Sequence, residues 1–291
     1  MSNQKVKSTA VGVATLRAIA SFERDAAVRN PDYLAVYLLP LKFRLIAKIH
    51  ILRWFVRTFS NRMAPGSYYF HTARAKCIDA MLEQSINEGL EQLVILGAGL
   101  DTRAYRFHDM LRHVKVFEVD HPNTQAMKKA RITRLPLSHP VNVSYVSLDF
   151  NDQNLDELIK NGYSSTLRTL FIWEGVCMYL TAEAVDKVLV FTSEHSGPGS
   201  SIIFDYIFQS MVEGKCDYYG ARESAKYVEK KGEPYLFGIE EGTINEFLEN
   251  RGLKLISEYT PTMLEKAFMT RSDGTVHGKV YAYTNIVHAL L

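Results

Sequence analysis

From Gln92 onward, short runs rich in β-branched and aromatic residues alternate with stretches of helical periodicity. The strand-like runs are LVILGAG, VKVFEVD, NVSYVSLDF, TLFIWEG and SSIIFDYI. Between them lie TQAMKKARI, NLDELIK and AEAVDKVLVFTSEH. A helix between two strands carries the chain back across the sheet, so the next strand starts in the same direction. The helix TINEFLENRG and the runs LKLISEYT and KVYAYTNIVHA bring the count to seven strands. The expected fold is therefore α/β, a doubly wound, mostly parallel seven-stranded sheet with helices on both faces.

This pattern divides the chain. Residues 1–88 are helical in texture and form an N-terminal cap or lid, and residues 89–206 form the α/β core. Residues 207–240 are polar and tyrosine-bearing, and read as an insertion or second lid. Residues 241–291 complete the core. Ser8 and Thr9 are candidate caps for a helix through VGVATLRAIASFE. The stretch 41–59, LKFRLIAKIHILRWFVRTF, puts apolar residues at helical spacing with Lys42, Arg44, Lys48, Arg53 and Arg57 interleaved. No acidic residue occurs from Tyr33 to Ile78. Such a helix either meets a membrane surface or anionic partner, or forms a lid whose arginines face solvent.

A net charge of +2 gives no electrostatic footprint for nucleic acid, and no apolar stretch approaches the roughly 18 residues that would span a bilayer. Cys77, Cys177 and Cys216 are far apart and share no metal-ligand spacing, so buried thiols in a reducing cytoplasm are expected and a metal is not.

Ligands of open parallel sheets bind at the carboxyl ends of the strands, near the point where strand order reverses. Four such ends can be read together. Gly97-Ala98-Gly99 follows the first strand, and glycine lets backbone approach a ligand where a Cβ would clash. Asp120 ends the second strand, where a carboxylate can accept both ribose hydroxyls of an adenosine. Asp149 ends the third and can accept from the adenine amino group, with Phe150 packed nearby. Glu174 follows the fourth. A strand-end carboxylate on its own is often only a helix cap; three in order after Gly-x-Gly point to an adenosine cofactor.

A dinucleotide fingerprint needs a third glycine beside the pyrophosphate. Here Thr102 stands in that place and Asp101 lies inside the loop. An anionic loop is a poor seat for a pyrophosphate and suits a ligand bearing an ammonium and a sulfonium. S-adenosylmethionine is thus expected rather than NAD, and an NAD-dependent oxidoreductase is the runner-up for this fold. Asp101, Thr102 and Arg103 serve either the ligand or the loop itself.

LGAGLDTRAYR, FEVDHP, SLDF and WEGVCMYL together resemble the leucine carboxyl methyltransferase family, and within it a bacterial branch of S-adenosylmethionine-dependent O-methyltransferases. The resemblance runs from ATLRA to about Tyr206 and more loosely to the C-terminus. It implies a Rossmann-like class I methyltransferase fold. It also implies that Gly97 and Gly99 approach the methionine part, Asp120 holds the ribose, and Asp149 and Phe150 hold the adenine. Glu174 would contact the methionine ammonium or line the methyl-transfer cavity. Family members pair the cofactor carboxylate with an arginine in a motif like ARTR. This chain has Ala73-Arg74-Ala75-Lys76, so Arg74 takes that role although the threonine is absent.

Methyl transfer from a sulfonium is an in-line displacement whose chemistry resides mostly in the cofactor. A carboxylate acceptor needs no general base at neutral pH, whereas a phenol or alcohol does. His121 and His71 lie near the expected site, but neither stands in a catalytic pattern. Tyr68 and Tyr69, which precede Arg74, either close over the cofactor or, as paired aromatics more often do, pack in the core. Tyr218, Tyr219, Tyr227, Tyr235 and Phe237 either line an acceptor pocket or fix the insertion to the core. The expected activity is O-methylation of a carboxyl or hydroxyl group on a small molecule. A protein C-terminal carboxyl methyltransferase and a non-catalytic cofactor-binding protein are the alternatives.

Overall fold

The computed structural model describes residues 8–136 and 142–291. Its seven strands are β1 (Gln92–Leu96), β2 (Lys115–Asp120), β3 (Val143–Ser147), β4 (Thr169–Trp173), β5 (Ser201–Ile207), β6 (Lys254–Tyr259) and β7 (Thr284–Leu290). They form one sheet in the order β3-β2-β1-β4-β5-β7-β6. The pairs among β1 to β5 are parallel, while β7 runs antiparallel to both β5 and β6.

Burial follows position. QLVIL, TLFIW and SIIFDYI are buried at every residue, as expected of strands covered on both faces. The edge strands β3 and β6 are only partly covered. The chain winds from β1 to β2 and β3 on one side, then returns to place β4 and β5 on the other. The order therefore reverses between β1 and β4, the point at which ligands of such sheets bind.

Register aligns the strand ends. Ile95 pairs with Ile172, Leu96 with Val119, and Trp173 with Phe204. Counting onward puts Gly97, Asp120, Glu174 and Asp205 in one row across the middle of the sheet. Helix Ser67–Asn87 packs on this region and carries Arg74. Its start is set by Gly66, whose φ of 84° places the chain in the left-handed region.

Three local expectations change. Ser8 and Thr9 lie inside the first helix (Ser8–Ala20), and the Thr9 hydroxyl bonds the Glu233 carboxylate instead of capping. The run KVYAYTNIVHA joins the sheet only from Thr284. Its first part leaves the sheet because Tyr281 stacks on Phe70 at 4.2 Å and the Ala282 N–H donates to the Tyr219 carbonyl. The basic stretch 41–59 is two helices, Leu41–Lys48 and His50–Met63, separated by extended Ile49. Arg53 and Arg57 turn toward the Ala47 and Lys48 carbonyls and toward Glu23, so these two arginines do not form a free solvent face.

A Cβ on Gly66 would lie 2.3 Å from the Tyr281 amide nitrogen, which is backbone and cannot swing aside. Gly66→Ala should therefore destabilise the fold by about 2–4 kcal/mol through left-handed strain and overpacking. Urea denaturation measures it; an unchanged midpoint would show that the helix start can move.

Candidate functional site

The strand-end row is built on short-range geometry. Gly97 and Gly99 both take positive φ, 67° and 43°. A Cβ on Gly97 would meet the Val176 side chain at 2.4 Å, so the turn is pressed under the segment that follows β4. A Cβ on Gly99 would make only ordinary contacts, with the Gly97 carbonyl at 3.6 Å and Asp120 Oδ2 at 3.9 Å. Asp120 accepts the Gly99 N–H through Oδ2 and the His121 N–H, at 2.6 Å, through Oδ1. Burial pushes its carboxyl above the usual range, partly offset by those two amides.

Asp149 and Phe150 stand at the neighbouring strand end. Asp149 Oδ1 accepts the Asn151 N–H, its other oxygen lies 4.0 Å from His121 Nε2, and Phe150 is buried. His121 itself caps helix Pro122–Ile132 by accepting the Asn123 N–H. That is a structural role.

On the other side of the reversal the chemistry is ionic. Glu174, directly after β4, lies 3.0 Å from Arg74, 2.6 Å from Arg103 and 3.8 Å from Arg17. Burial alone would raise its carboxyl, but Arg74, Arg103 and Arg17 outweigh that and hold it well below the usual range. Arg74 also pairs with Asp205 at 2.5 Å and donates to His71 Nδ1 at 3.2 Å. Its buried Nε makes no hydrogen bond among the described residues. Burial and the Arg74 charge push His71 well down, so it is neutral.

Asp101, Thr102 and Arg103 hold the loop. Asp101 accepts the Arg103 N–H at 2.7 Å and pairs with its guanidinium at 2.6 Å. Thr102 bonds Asp32 and accepts from Arg106. Arg103 and Arg106 both reach Asp79 on the long helix. The connected set has five carboxylates, Asp32, Asp79, Asp101, Glu174 and Asp205, against four guanidiniums, Arg17, Arg74, Arg103 and Arg106. One excess negative charge suits a ligand of net positive charge.

Of the residues singled out in the sequence, the structure brings Gly97, Asp120 and Glu174 into one row, with Gly99 beside Asp120, Asp149 and Phe150 at the adjoining strand end, and Arg74 paired with Glu174 and Asp205. Sequence reading missed Asp205, Asp79, Arg17 and Arg106. The signals existed: a lone aspartate inside SIIFDYI, and a lone arginine in ATLRAIA. Tyr68 is buried and donates to Glu23, as core packing required. Of the insertion aromatics, Tyr235 and Phe237 turn inward against Tyr179 and Phe247, while Tyr218 is exposed.

The sequence model for leucine carboxyl methyltransferase matches residues 10–193. A protein of Bacillus subtilis (strain 168), YktD, provisionally named an S-adenosyl-L-methionine-dependent methyltransferase, is 32% identical over 75% of this chain and 71% of its own. A Mycobacterium avium protein of the same provisional name is 31% identical over 68% of this chain and 63% of its own. A solved Thermobifida fusca structure, assigned as a methyltransferase, aligns over 96% of this chain and 93% of its own with a TM-score of 0.60. At 13% identity that likeness concerns the fold.

Because Glu174 is ionised in the fold far below its ordinary value of 4.5, its contribution to stability is complete above that pH and is lost as pH falls further. Asp101, also depressed despite burial, acts in the same direction. Arg103→Ala, which leaves Asp101 without a guanidinium and takes one partner from Asp79 and from Glu174, should cost about 3–5 kcal/mol at pH 7 and flatten the acid limb. Denaturant titrations from pH 3 to pH 8, on the order of these pKa ranges, would disprove the reading if both proteins lost stability in parallel.

Proposed function

The chain belongs to the leucine carboxyl methyltransferase family and is an S-adenosylmethionine-dependent methyltransferase; from that premise we propose that its acceptor is an oxygen of a small molecule, and a carboxyl in preference to a hydroxyl. The observation that carries the preference is the state of the titratable groups around Arg74. His71 is kept neutral and weakly basic, and its Nδ1 accepts from Arg74. Tyr179, Tyr281 and Tyr283 are all pushed well above the ordinary phenol range, chiefly by burial. These groups hold their protons or take them poorly, which suits an acceptor that arrives ionised.

The residues fit the cofactor. Asp120 would accept the ribose hydroxyls and Asp149 the adenine amino group, with Phe150 against the ring. Gly97 and Gly99 would admit the methionine chain. Arg74, through a buried Nε that has no partner among the described residues, would hold the methionine carboxylate, and Glu174 its ammonium. When bound, S-adenosylmethionine supplies an electrophilic methyl on a cationic sulfonium. The protein's part is to align the acceptor oxygen and exclude water.

The acceptor pocket would lie between the N-terminal cap, residues 1–88, and the insertion, residues 207–240. Tyr179 and Tyr235, with ring centroids 5.6 Å apart, feel the Arg74 charge and bring aromatic surface to that side. A second reading, methylation of a protein's C-terminal carboxylate, is favoured by the family description and uses the same chemistry. We place the enzyme in the cytoplasm, where its three buried free cysteines would stay reduced.

Two measurements test this. Calorimetry should give cofactor binding weakened roughly 10- to 100-fold by Asp120→Ala through loss of charged hydrogen bonds; NAD should give no heat. With methyl-labelled cofactor and panels of carboxylic acids and phenols, the expected product is a base-labile ester. A base-stable ether would overturn the carboxyl preference and leave the cofactor assignment standing.

A further inference from the structure

An amphipathic helix ordinarily turns its apolar stripe to the core. In helix His50–Met63 the exposed positions include Ile51, Trp54, Phe55, Thr58, Phe59 and Arg62, alternately three and one residues apart and so on one helix face. The protein side instead receives Leu52, Arg53, Val56, Arg57 and Ser60. No residue of this helix is fully buried. In the preceding helix Leu41 and Leu45 are also exposed, as is Ile49 between the two helices. Seven large apolar side chains, from Leu41 to Phe59, are each 45–68% exposed. Scattered exposed apolar residues are ordinary; seven large ones along two consecutive helices mark an interaction surface.

Its rim says what covers it. Lys42, Lys48, His50 and Arg62 are exposed along the stripe. The segment from Tyr33 to Ile78 carries no acidic residue, and Glu23 bonds the inward-facing Arg57 and Tyr68. A second copy seated on this face by two-fold symmetry would bring lysine against lysine. An anionic surface meets the same rim favourably, while lysine stems keep their charges at the headgroup level and the aromatic rings enter the acyl boundary.

We propose that the outward face of residues 41–62 docks the enzyme on an anionic lipid bilayer. The two helices lie flat on the surface without crossing it, and among the described residues no helix is long and apolar enough to do so. Three residues, Ala64, Pro65 and Gly66, separate the docked helix from the start of the helix that carries Arg74. Docking therefore holds the cap next to the proposed site, where an amphiphilic acceptor would enter from the bilayer.

The chain reports on itself. Of its two tryptophans, Trp54 is 46% exposed on this face and Trp173 is fully buried in β4. Titrating the purified full chain with phosphatidylcholine vesicles, with and without phosphatidylglycerol, should give a blue shift and co-sedimentation only with the anionic lipid. High salt should reverse both. The exposed double substitution Phe55→Ser with Phe59→Ser should lower partitioning roughly 100-fold, and Lys42→Glu with Lys48→Glu more than tenfold. Cofactor affinity without vesicles should stay unchanged in both, which certifies their fold. Failure to bind either vesicle would overturn the proposal. So would equal binding to both, or a lipid-free, concentration-dependent blue shift accompanied by dimers in sedimentation.

Discussion

One guanidinium ties the reversal point together. Arg103 reaches Asp79 on the long N-terminal helix, Asp101 in the loop after β1 and Glu174 after β4. Each partner comes from a different part of the chain, so the cap, the glycine turn and the far half of the sheet are held by one buried centre. A buried charge is tolerated only when it is paired and hydrogen-bonded. The network meets that demand by being extended: Arg17, Arg74 and Arg106 share the same carboxylates with Arg103. Its remaining negative charge then points to the sign of the ligand.

The same network explains why the N-terminal helices are built as they are. The first helix sends Arg17 inward to Asp32, Glu174 and the Leu100 carbonyl. The long helix Ser67–Asn87 sends Arg74 and Asp79 inward, nearly one and a half turns apart. Between them, residues 41–63 contribute nothing to this centre and bury no residue of the second helix. The segment is held by Ala47 in the core, by Phe43 and Val56 packed against it, and by inward contacts such as Arg57 with Glu23. Its apolar surface is thereby free to act outward, which is the physical basis for the docking inference.

Much of the fold was legible because strand signals were dense. QLVIL, KVFEVD, TLFIW and SIIFDYI are short, β-branched and bounded by turn residues, and all four became strands within a residue or two of expectation. Asp120 was legible because it ends such a run about twenty residues after the glycines. Expectation failed where tertiary contact competed with local preference. Lys279–Tyr283 has a strand's composition, yet Tyr281 gains more by stacking on Phe70 and Tyr283. The inward turn of Arg53 and Arg57 was equally hidden, since helical periodicity marks an apolar stripe but not which side meets the protein.

The sequence by itself determined the alternation of strands and helices, the position of the reversal, the glycine turn and the carboxylates at the strand ends. It could do so because a strand's side-chain period and a turn's need for positive φ are local, and local rules are written in neighbouring residues. Only the tertiary structure decided that Arg17, Asp79 and Asp205 join Arg74 and Glu174, and that the apolar stripe of residues 41–62 faces away from the core. Ion pairs between residues as much as 157 positions apart, as for Arg17 and Glu174, carry no local signature. They follow from register, which aligns Glu174 with Asp205, and from the packing of the N-terminal helices over that row.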